Sequence, residues 1–231
     1  MIATATICVC TSEPEREELA ALGVPARLEL VLNGIALPDR VDPAVRRSVR
    51  SELGLSADTF TVLYAGELEP RKHPLTAAEA VLELHREGEP TVLLVAGDGP
   101  LRPRLEQLPP PVVRVLGFRD DPDRLMAAAD AFVMPSEREG LSLAVLEAMG
   151  HELPVVVSDG AGNPEAVGDA GVVTPLGDVT ALAAALRRLA RPPAARAHLG
   201  AAGRERVATK FSVERYLDDM RRVFTEALEA S

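Results

Sequence analysis

The sequence predicts an α/β fold, in which a doubly wound parallel sheet is followed by a C-terminal helical extension. Three observations support this fold class. Short runs rich in β-branched residues are apolar throughout, which is typical of strands that helices cover on both faces. Helix-patterned segments separate these runs at the spacing of βαβ units, which favours parallel strands. After Pro175 the pattern becomes helical.

The predicted elements alternate along the chain. Strands are predicted at residues 61–65, 91–96, 112–116, 131–134, 154–157 and 171–174. Helices are predicted at residues 74–86, 101–108, 122–129, 141–151, 164–167, 178–189, 194–209 and 212–230. Before them, a strand, a helix and an extended run are predicted at residues 7–11, 13–22 and 28–32. Ligands of doubly wound sheets bind at the carboxyl ends of the strands, so residues there are expected to form the site.

The composition is that of a compact globular domain. Hydrophobic residues make up 47% of the chain and charged residues 26%, close to globular averages, which excludes wholesale disorder. The net charge of −10 argues against a nucleic-acid partner, because phosphate contacts need clustered Lys and Arg. Lysine occurs only at Lys72 and Lys210, which makes Lys72 conspicuous.

Cys8 and Cys10 lie two positions apart in a strand pattern, so both thiols are expected on one face, buried and reduced. The four histidines show no ligand spacing, and no metal site is predicted. No apolar run approaches the length of a membrane span, and the N-terminus lacks the basic start of a signal sequence. A cytoplasmic protein without a transmembrane segment is therefore expected.

Glu139 and Glu147 form the most informative motif, where the strand at 131–134 gives way to a helix. Eight residues are a little over two helical turns, which predicts carboxylates about 12 Å apart on similar faces of one helix start. Gly140 stands at that start, where free N–H groups and the helix dipole suit a phosphate. The first carboxylate could hold sugar hydroxyls and the second ribose hydroxyls. The alternative for the pair alone is that Glu139 stabilises the helix start and Glu147 is solvated.

Six further segments lie in the expected order around this motif: VLNG at 31–34, YAGELEPRK at 64–72, VAGDGPL at 95–101, LGF at 116–118, AAADAFVMPS at 127–136 and GNPE at 162–165. Together with EGLSLAVLEAMG at 139–150 they resemble the retaining glycosyltransferases of family 4 (glycosyl transferases group 1). These enzymes have a GT-B fold with two Rossmann-like halves. The resemblance runs from about Ile7 to the C-terminus and covers the C-terminal, donor-binding half, with the E-x7-E motif matching Glu139 and Glu147.

The resemblance implies a role for each residue. Lys72 would bind the diphosphate of a nucleotide sugar, Glu139 would act on the donor sugar as the catalytic residue, and Glu147 would bind the ribose. An exposed loop pair is the alternative for Arg71 and Lys72, and a core position is the alternative for Phe118, whose segment would contact the base. The other residues predicted to bind the donor are Gly66, Arg71, Gly97, Phe118, Gly140, Leu141 and Ser142.

The chain departs from the family at Glu67, where Gly-Arg is common and this chain has Gly66-Glu67. An anion thus replaces a cation that would meet the diphosphate, and Arg71 is the expected partial substitute. The loop at 163–165 is expected to shape the cleft without doing chemistry. Arg102 stands where a dinucleotide fingerprint needs its third glycine, so NAD binding is not expected.

The resemblance further implies front-face attack with retention of anomeric configuration, in which the leaving phosphate accepts the acceptor's proton. No metal and no cofactor besides the donor are implied, since cationic side chains and helix N–H groups can offset the diphosphate. A paired-carboxylate glycosidase fits less well, because two turns of one helix separate the groups too far.

The domain organisation follows from the same resemblance. Residues 1–38 resemble a remnant of the acceptor domain and the crossover from it, and residues 39–231 the nucleotide-sugar-binding Rossmann-like domain with its C-terminal helices. The helix at 212–230 would normally cross back onto the missing acceptor domain. Apolar surface would then be uncovered, which predicts a partner chain or self-association through that surface.

Three functions remain open at this point. The first is a retaining glycosyltransferase that moves a hexose from a nucleoside diphosphate sugar to an unknown acceptor, completed by an N-terminal acceptor domain. The second is a non-catalytic nucleotide-sugar-binding module or truncated remnant. The third is another nucleotide-sugar enzyme, such as an epimerase. The E-x7-E motif favours the first two.

Overall fold

The computed structural model describes residues 7–191 and 193–229 and contains a central sheet of six parallel strands. The strands are β1 Ile7–Cys10, β2 Arg27–Leu30, β3 Phe60–Ala65, β4 Thr91–Ala96, β5 Val113–Gly117, β6 Ala131–Met134, β7 Val155–Ser158 and β8 Val172–Thr174. The order in the central sheet is β5-β4-β3-β6-β7-β8, while β1 and β2 pair with each other in a separate parallel ribbon. The predicted α/β fold class is confirmed.

Helices flank this sheet and form the C-terminal extension. They are α1 Glu13–Ala21, α2 Pro43–Glu52, α3 Pro74–Arg86, α4 Arg102–Leu105, α5 Pro122–Ala128, α6 Leu143–Gly150, α7 Asn163–Val167, α8 Val179–Ala190, α9 Pro193–Lys210 and α10 Val213–Glu229. Predicted and observed ends agree within two residues for most elements, although α4 ends three residues early. The start of the predicted region 1–38, up to residue 6, and the end of the predicted last helix, Ala230, lie outside the described residues.

The middle strands of the sheet are almost wholly buried, as the continuous apolar runs predicted, whereas the edge strands β5 and β8 are partly exposed. Every residue of β4, β6 and β7 is buried. Fully buried side chains such as Leu93, Leu94 and Phe132 each contribute about 1.5–3 kcal/mol through loss of apolar surface from water. This core holds the strand ends rigidly, and the loops at those ends carry the candidate site.

Helix α2 was missed by the sequence analysis, although its first turn is typical of a helix start. Asp42 accepts a hydrogen bond from the backbone of the first turn, and Pro43 follows it. Two arginines attach α2 to the end of α5. Arg46 and Arg50 donate to the last backbone carbonyls of α5 and form ion pairs with Asp130 at 2.6 and 3.2 Å. Cations are favoured at a helix C-terminus.

Arg50 is the buried member of this cluster, with 8% of its side chain exposed. Burial lowers the pKa of its guanidinium, and the charge of Asp130 opposes that shift. Asp130 also accepts from the backbone N–H of Thr61 at 2.8 Å, so the cluster joins α2, α5 and β3. The linkage is tertiary, because the partners lie 69 to 80 residues apart.

The N-terminal segment packs against the last two helices. The backbone N–H of Ile35 donates to Phe211 O at 2.9 Å, and the N–H of Val213 donates to Ile35 O at 3.0 Å. A Cβ on Gly34 would overlap the Ser212 carbonyl oxygen. The two backbone segments can therefore approach this closely only with glycine at position 34. Cys8 is half-buried and Cys10 buried, and both are free thiols.

Apolar side chains are exposed along one face of α10. Leu217, Phe224 and Leu228 are separated by seven and four residues, which places them on the same helix face, and Phe224 is 62% exposed. Leu22, just after α1, is also exposed. The described helices include none long and apolar enough to cross a membrane. The interface predicted for the α10 surface stays a prediction.

We expect Arg50→Ala to lower the free energy of unfolding by about 3 kcal/mol, because the carbonyl oxygens of Ala128, Ser56 and Thr59 would lose their donor and Asp130 one of its two arginines. Arg47→Ala is the matched control, since Arg47 lies on the same helix but is exposed, and it should change stability by less than about 0.5 kcal/mol. Urea denaturation of both variants checks this. Equal midpoints would contradict the role of the cluster.

Candidate active site

The loops that follow β3, β4 and β5 contact one another at the carboxyl edge of the sheet. The N–H of Gly66 donates to Ala96 O at 3.0 Å, and the N–H of Gly97 donates to Gly117 O at 2.8 Å. Gly97 has φ +147°, and a Cβ there would overlap the Gly66 carbonyl oxygen. Only glycine permits this approach. The sequence-predicted residues Gly66 and Gly97 therefore lie side by side.

A cavity of about 350 Å³ opens at these strand ends, at the lower end of the range for small-molecule sites. Residues from all three loops line it, among them Gly66, Glu67, Gly97, Asp98, Phe118 and Leu125. Phe118 is 80% exposed, so the alternative of a core position is wrong. Its ring offers an apolar face for a flat ligand group. A larger depression of 420 Å³ between residues 38–45 and α5 contains none of the predicted site residues.

Lys72 and Glu139 come together across the edge of the sheet. The distance from Lys72 Nζ to Glu139 Oε1 is 2.6 Å, and the two side chains are only 12% and 10% exposed. Lys72 ends the short 3₁₀ turn Pro70–Lys72 after β3, and Glu139 lies in the loop after β6. The N–H of Glu137 donates to Arg71 O at 2.8 Å and joins the same two loops. A charge-assisted hydrogen bond so sheltered from water is a strong one.

The two glutamates do not share a helix as predicted. Helix α6 begins at Leu143, so Glu139 lies in the preceding loop and only Glu147 is helical. The N–H of Glu139 donates instead to Ala161 O at 2.9 Å. The loop is held as well by Asn33, whose Nδ2 donates to Leu141 O at 2.8 Å. The helical pattern extends into the loop because Leu141 is buried like a helix core residue.

Gly140 and Ser142 lie between Glu139 and the helix. A Cβ on Gly140 would overlap Thr11 Oγ1, so the N-terminal segment touches the loop at this point. Ser142 is the N-cap residue of α6, and its side chain makes no capping hydrogen bond. The first helical backbone bond runs from Leu146 N to Ser142 O at 3.1 Å. The earlier N–H groups of the first turn are oriented toward the loop, as at an anion-binding helix start.

Glu147 is half-buried, so the alternative of a solvated surface residue is wrong. Burial raises the pKa of its carboxyl group, the charge of Asp123 raises it further, and His151 lowers it. His151 follows one helical turn later and lies 2.9 Å from Asp123 through its Nε2 atom. Glu147 thus faces a partly dry environment, in which hydrogen bonds to a ligand would be stronger than in water.

Arg71 is already paired with two carboxylates. Its Nη2 atom lies 2.6 Å from Glu67 and its Nε atom 2.9 Å from Glu69, and all three side chains are exposed. The hydroxyl of Tyr64 donates to Glu67 O at 2.8 Å and fixes the start of this loop. Arg71 is the expected substitute for the missing cation, but Glu67 and Glu69 already compensate its charge within the loop.

The described residues include no group of three or more His, Cys, Asp or Glu side chains placed to hold a metal ion. The prediction that no metal is needed stays a prediction. Sequence analysis missed the contacts of Asn33, Thr11 and Ala161 with the Glu139 loop. The VLNG segment contains Asn33 and the GNPE segment directly follows Ala161, whereas no motif pointed to Thr11, and all three residues are distant in sequence from the loop.

A parallel six-stranded sheet with glycine-rich loops meeting at its carboxyl edge defines a doubly wound α/β domain, and comparison with known proteins identifies its family. Residues 59–191 match the family described as glycosyl transferases group 1. The chain belongs to this family.

Two curated relatives are each 33% identical to the chain. The alignment with D-inositol 3-phosphate glycosyltransferase from Saccharomonospora viridis covers 100% of this chain and 58% of the relative. The alignment with the lipopolysaccharide core biosynthesis glycosyltransferase LpsD of Rhizobium meliloti covers 91% and 62%. The chain thus spans less than two thirds of the length of these relatives.

Solved structures show the same fold. HepE from Anabaena, crystallised with UDP and glucose, superposes with a TM-score of 0.84 at 21% identity, covering 96% of this chain and 63% of that one. Sucrose-phosphate synthase from Thermosynechococcus elongatus gives a TM-score of 0.84 at 28% identity, covering 100% and 60%. The described residues therefore adopt the architecture found in GT-B glycosyltransferases.

Glu147→Gln is expected to stabilise the folded protein at pH 7, because the raised pKa means that the fold disfavours the charged carboxylate. The destabilisation by wild-type Glu147 is absent below the unfolded-state pKa, ordinarily 4.5, and grows as the pH rises through the folded-state pKa. Urea midpoints at pH 7 and pH 4 measure this, and the gain should shrink at pH 4. Glu205→Gln, at an exposed position of α9, should show no gain at either pH.

Glu67→Gln is expected to strengthen binding of a nucleoside diphosphate, because it removes a negative charge from the cavity wall and one of the two carboxylates that pair with Arg71. A gain of up to about fivefold at low salt corresponds to a surface interaction of roughly 1 kcal/mol. Calorimetric titration with UDP at 20 and 200 mM salt checks the size and its screening. Glu69→Gln is the control, since Glu69 also pairs with Arg71 but does not line the cavity; an equal gain there would reject a direct effect of Glu67.

Proposed function

We propose that this chain binds a nucleoside diphosphate sugar and takes part in transferring its hexose to an acceptor with retention of anomeric configuration. The observation that carries the proposal is the sheltered pair of Lys72 and Glu139, 2.6 Å apart between the loops that follow β3 and β6. The loop after β3 that supplies Lys72 also lines the cavity through Gly66 and Glu67. In this proposal a donor in the cavity extends its phosphates along that loop to the pair, neither member of which lines the cavity itself.

The chemistry of Lys72 suits a phosphate in this position. An ammonium group has three N–H donors, so it can hold Glu139 and a phosphate oxygen at the same time. Glu139 keeps a second carboxylate oxygen, which can accept a hydrogen bond from a hydroxyl of the donor sugar. The pair can thus contact both groups that the reacting bond connects: Lys72 contacts the diphosphate and Glu139 contacts the sugar.

The proposed transfer breaks the bond between the anomeric carbon and the diphosphate oxygen and forms a bond from that carbon to an acceptor oxygen on the same face. The leaving phosphate takes the proton of the acceptor hydroxyl. Lys72 and the N–H groups at the start of α6 stabilise the charge that develops on the leaving group. Neither Glu139 nor Glu147 needs to form a covalent intermediate.

The remaining residues hold the nucleoside in this proposal. Glu147 accepts hydrogen bonds from the ribose hydroxyls, and its partly dry surroundings strengthen those bonds. The ring of Phe118 lies beside the base, and the backbones of Gly66 and Gly97 approach the donor closely. The match to a family of transferases, and a structural neighbour that binds UDP and glucose, support a nucleotide-sugar donor.

The acceptor site is proposed to lie mainly outside this sequence. The chain spans 58% of its relative from Saccharomonospora viridis, and Leu217, Phe224 and Leu228 on α10 expose an apolar face. A further domain or a partner chain that covers this face would supply the acceptor surface. The alternative function, a binding module that does not catalyse transfer, would show donor binding without turnover. The cytoplasmic location stays a prediction.

Lys72→Ala is expected to weaken binding of the donor by about 10- to 100-fold, the effect of losing one charged hydrogen bond. Lys210→Ala is the matched control, since Lys210 is the other lysine and ends α9 at an exposed position. Titration calorimetry with UDP-glucose, GDP-mannose and ADP-glucose measures the affinities. Glu147→Gln should weaken binding, and Glu139→Gln should slow donor hydrolysis or transfer more than it weakens binding.

Two outcomes would contradict the proposal. Absence of binding by all three donors at millimolar concentration would reject a nucleotide-sugar site. Equal affinities for the parent, Lys72→Ala and Glu147→Gln, together with an unchanged rate for Glu139→Gln, would reject the assignment of residues while leaving the donor class open.

A further inference from the structure

We infer that Asn163 and the turn that precedes it at residues 160–162 position Glu139, so that Asn163 controls the proposed reaction without touching the donor. The inference rests on the proposed role of Glu139. Asn163 is completely buried at the start of α7 and cannot reach a ligand in the cavity. Any effect it has on the reaction must therefore pass through the residues that it contacts.

Asn163 joins the ends of two central strands. Its Nδ2 atom lies 3.1 Å from Ser136 Oγ, just beyond β6, and 3.1 Å from Ser158 Oγ, the last residue of β7. The hydroxyl of Ser158 donates in turn to the Ser136 carbonyl oxygen. All three side chains are buried. Hydrogen bonds in such an environment are strong, and a donor left unsatisfied is costly, so the bonds made by Asn163 Nδ2 resist displacement although its Oδ1 atom is buried without a partner.

The network ends where the Glu139 loop begins. Ser136 is the residue before the segment 137–141, and Asn163 follows directly on the turn that this segment touches. The backbone at Arg138 pairs with Ala161 in a parallel bridge, and the N–H of Glu139 donates to Ala161 O at 2.9 Å. Asn163 thus anchors one side of the contact that holds the Glu139 backbone.

Two glycines allow the turn at residues 160–162 to lie close to the Glu139 loop. A Cβ on Gly160 would overlap the Ser136 carbonyl oxygen, and one on Gly162 would overlap the Gly140 carbonyl oxygen. Gly162 also has φ +84°, a backbone conformation that glycine adopts readily and other residues rarely do. The turn therefore lies directly against the loop on both sides of Glu139. A movement of the turn would be transmitted to Glu139 rather than absorbed by flexible side chains.

The consequence concerns the distance between Glu139 and Lys72. Lys72 is attached to a different loop, after β3, so the 2.6 Å contact depends on how two separately anchored loops meet. Catalytic rates respond to displacements of about 1 Å by up to roughly 100-fold. Affinity for the nucleoside diphosphate should respond less, because Gly66, Gly97 and Phe118 are held by other strands. Asn163 is thus a positioning residue that affects turnover more than binding.

The test compares Asn163→Ala with Glu139→Gln and with Thr91→Val. Thr91 is also buried with a hydroxyl that donates to backbone carbonyls, but it lies at the amino end of β4, away from the site. Two readouts are used for each folded variant. Donor hydrolysis gives kcat and KM for whichever of UDP-glucose, GDP-mannose and ADP-glucose binds most tightly. Amide hydrogen exchange followed by NMR gives the protection of the Glu139 N–H.

We expect Asn163→Ala to lower kcat by roughly 10- to 100-fold with KM changed less than about threefold, and to speed exchange of the Glu139 amide. Thr91→Val should leave kcat, KM and that amide unchanged. If Asn163→Ala does not fold, Ser136→Ala removes the other end of the same hydrogen bond and serves in its place. A wild-type kcat with unchanged Glu139 protection would overturn the inference, as would equal losses in Thr91→Val.

The two readouts distinguish failure of the proposed function from failure of the positioning inference. If the parent protein binds no donor, the nucleotide-sugar proposal fails, while amide exchange still decides whether Asn163 holds the Glu139 loop. If the parent hydrolyses the donor and Glu139→Gln abolishes this, but Asn163→Ala does not slow it, the positioning inference alone fails.

Discussion

Close approach of backbone to backbone at the carboxyl edge of the sheet is the constraint on which the site depends. Gly97 meets the Gly66 carbonyl on one side of β3, and Gly162 meets the Gly140 carbonyl on the other. Larger side chains at Gly97 and Gly162 would push these loops apart. Because β4, β6 and β7 are buried along their whole length, the loops are anchored in a rigid base, and their relative positions follow from the packing of the core.

The cationic side chains of the site are each paired with carboxylates and do not form a single cationic patch. Lys72 is matched by Glu139, and Arg71 by Glu67 and Glu69. A pair as sheltered as Lys72 and Glu139 gains little net stability, since desolvating both charges costs about as much as their attraction returns. In the proposed function the pair has a role besides folding, since the charge and hydroxyl groups of the donor would complete the arrangement.

Sequence reasoning succeeded where local pattern and chain topology decide the result. The apolar runs predicted the six central strands, and the rule that ligands bind at carboxyl ends of parallel strands predicted that the loops there would gather at one edge, where Lys72 and Glu139 lie 2.6 Å apart. It failed for α2, which has a recognisable Asp-Pro start but few apolar residues. That helix is held by Arg46 and Arg50, whose partners lie far along the chain, so its attachment to the sheet could not be predicted from local pattern.

The amino-acid sequence by itself determined the α/β architecture, the family and the edge of the sheet that carries the site, because these follow from periodicity and from the order of short motifs. Only the tertiary structure decided that Glu139 lies in a loop, that Arg71 is neutralised by its neighbours, and that Asn163 stands behind the Glu139 loop. These facts depend on contacts between residues distant in sequence. Such contacts are set by how strands and loops pack in space, which local pattern does not specify.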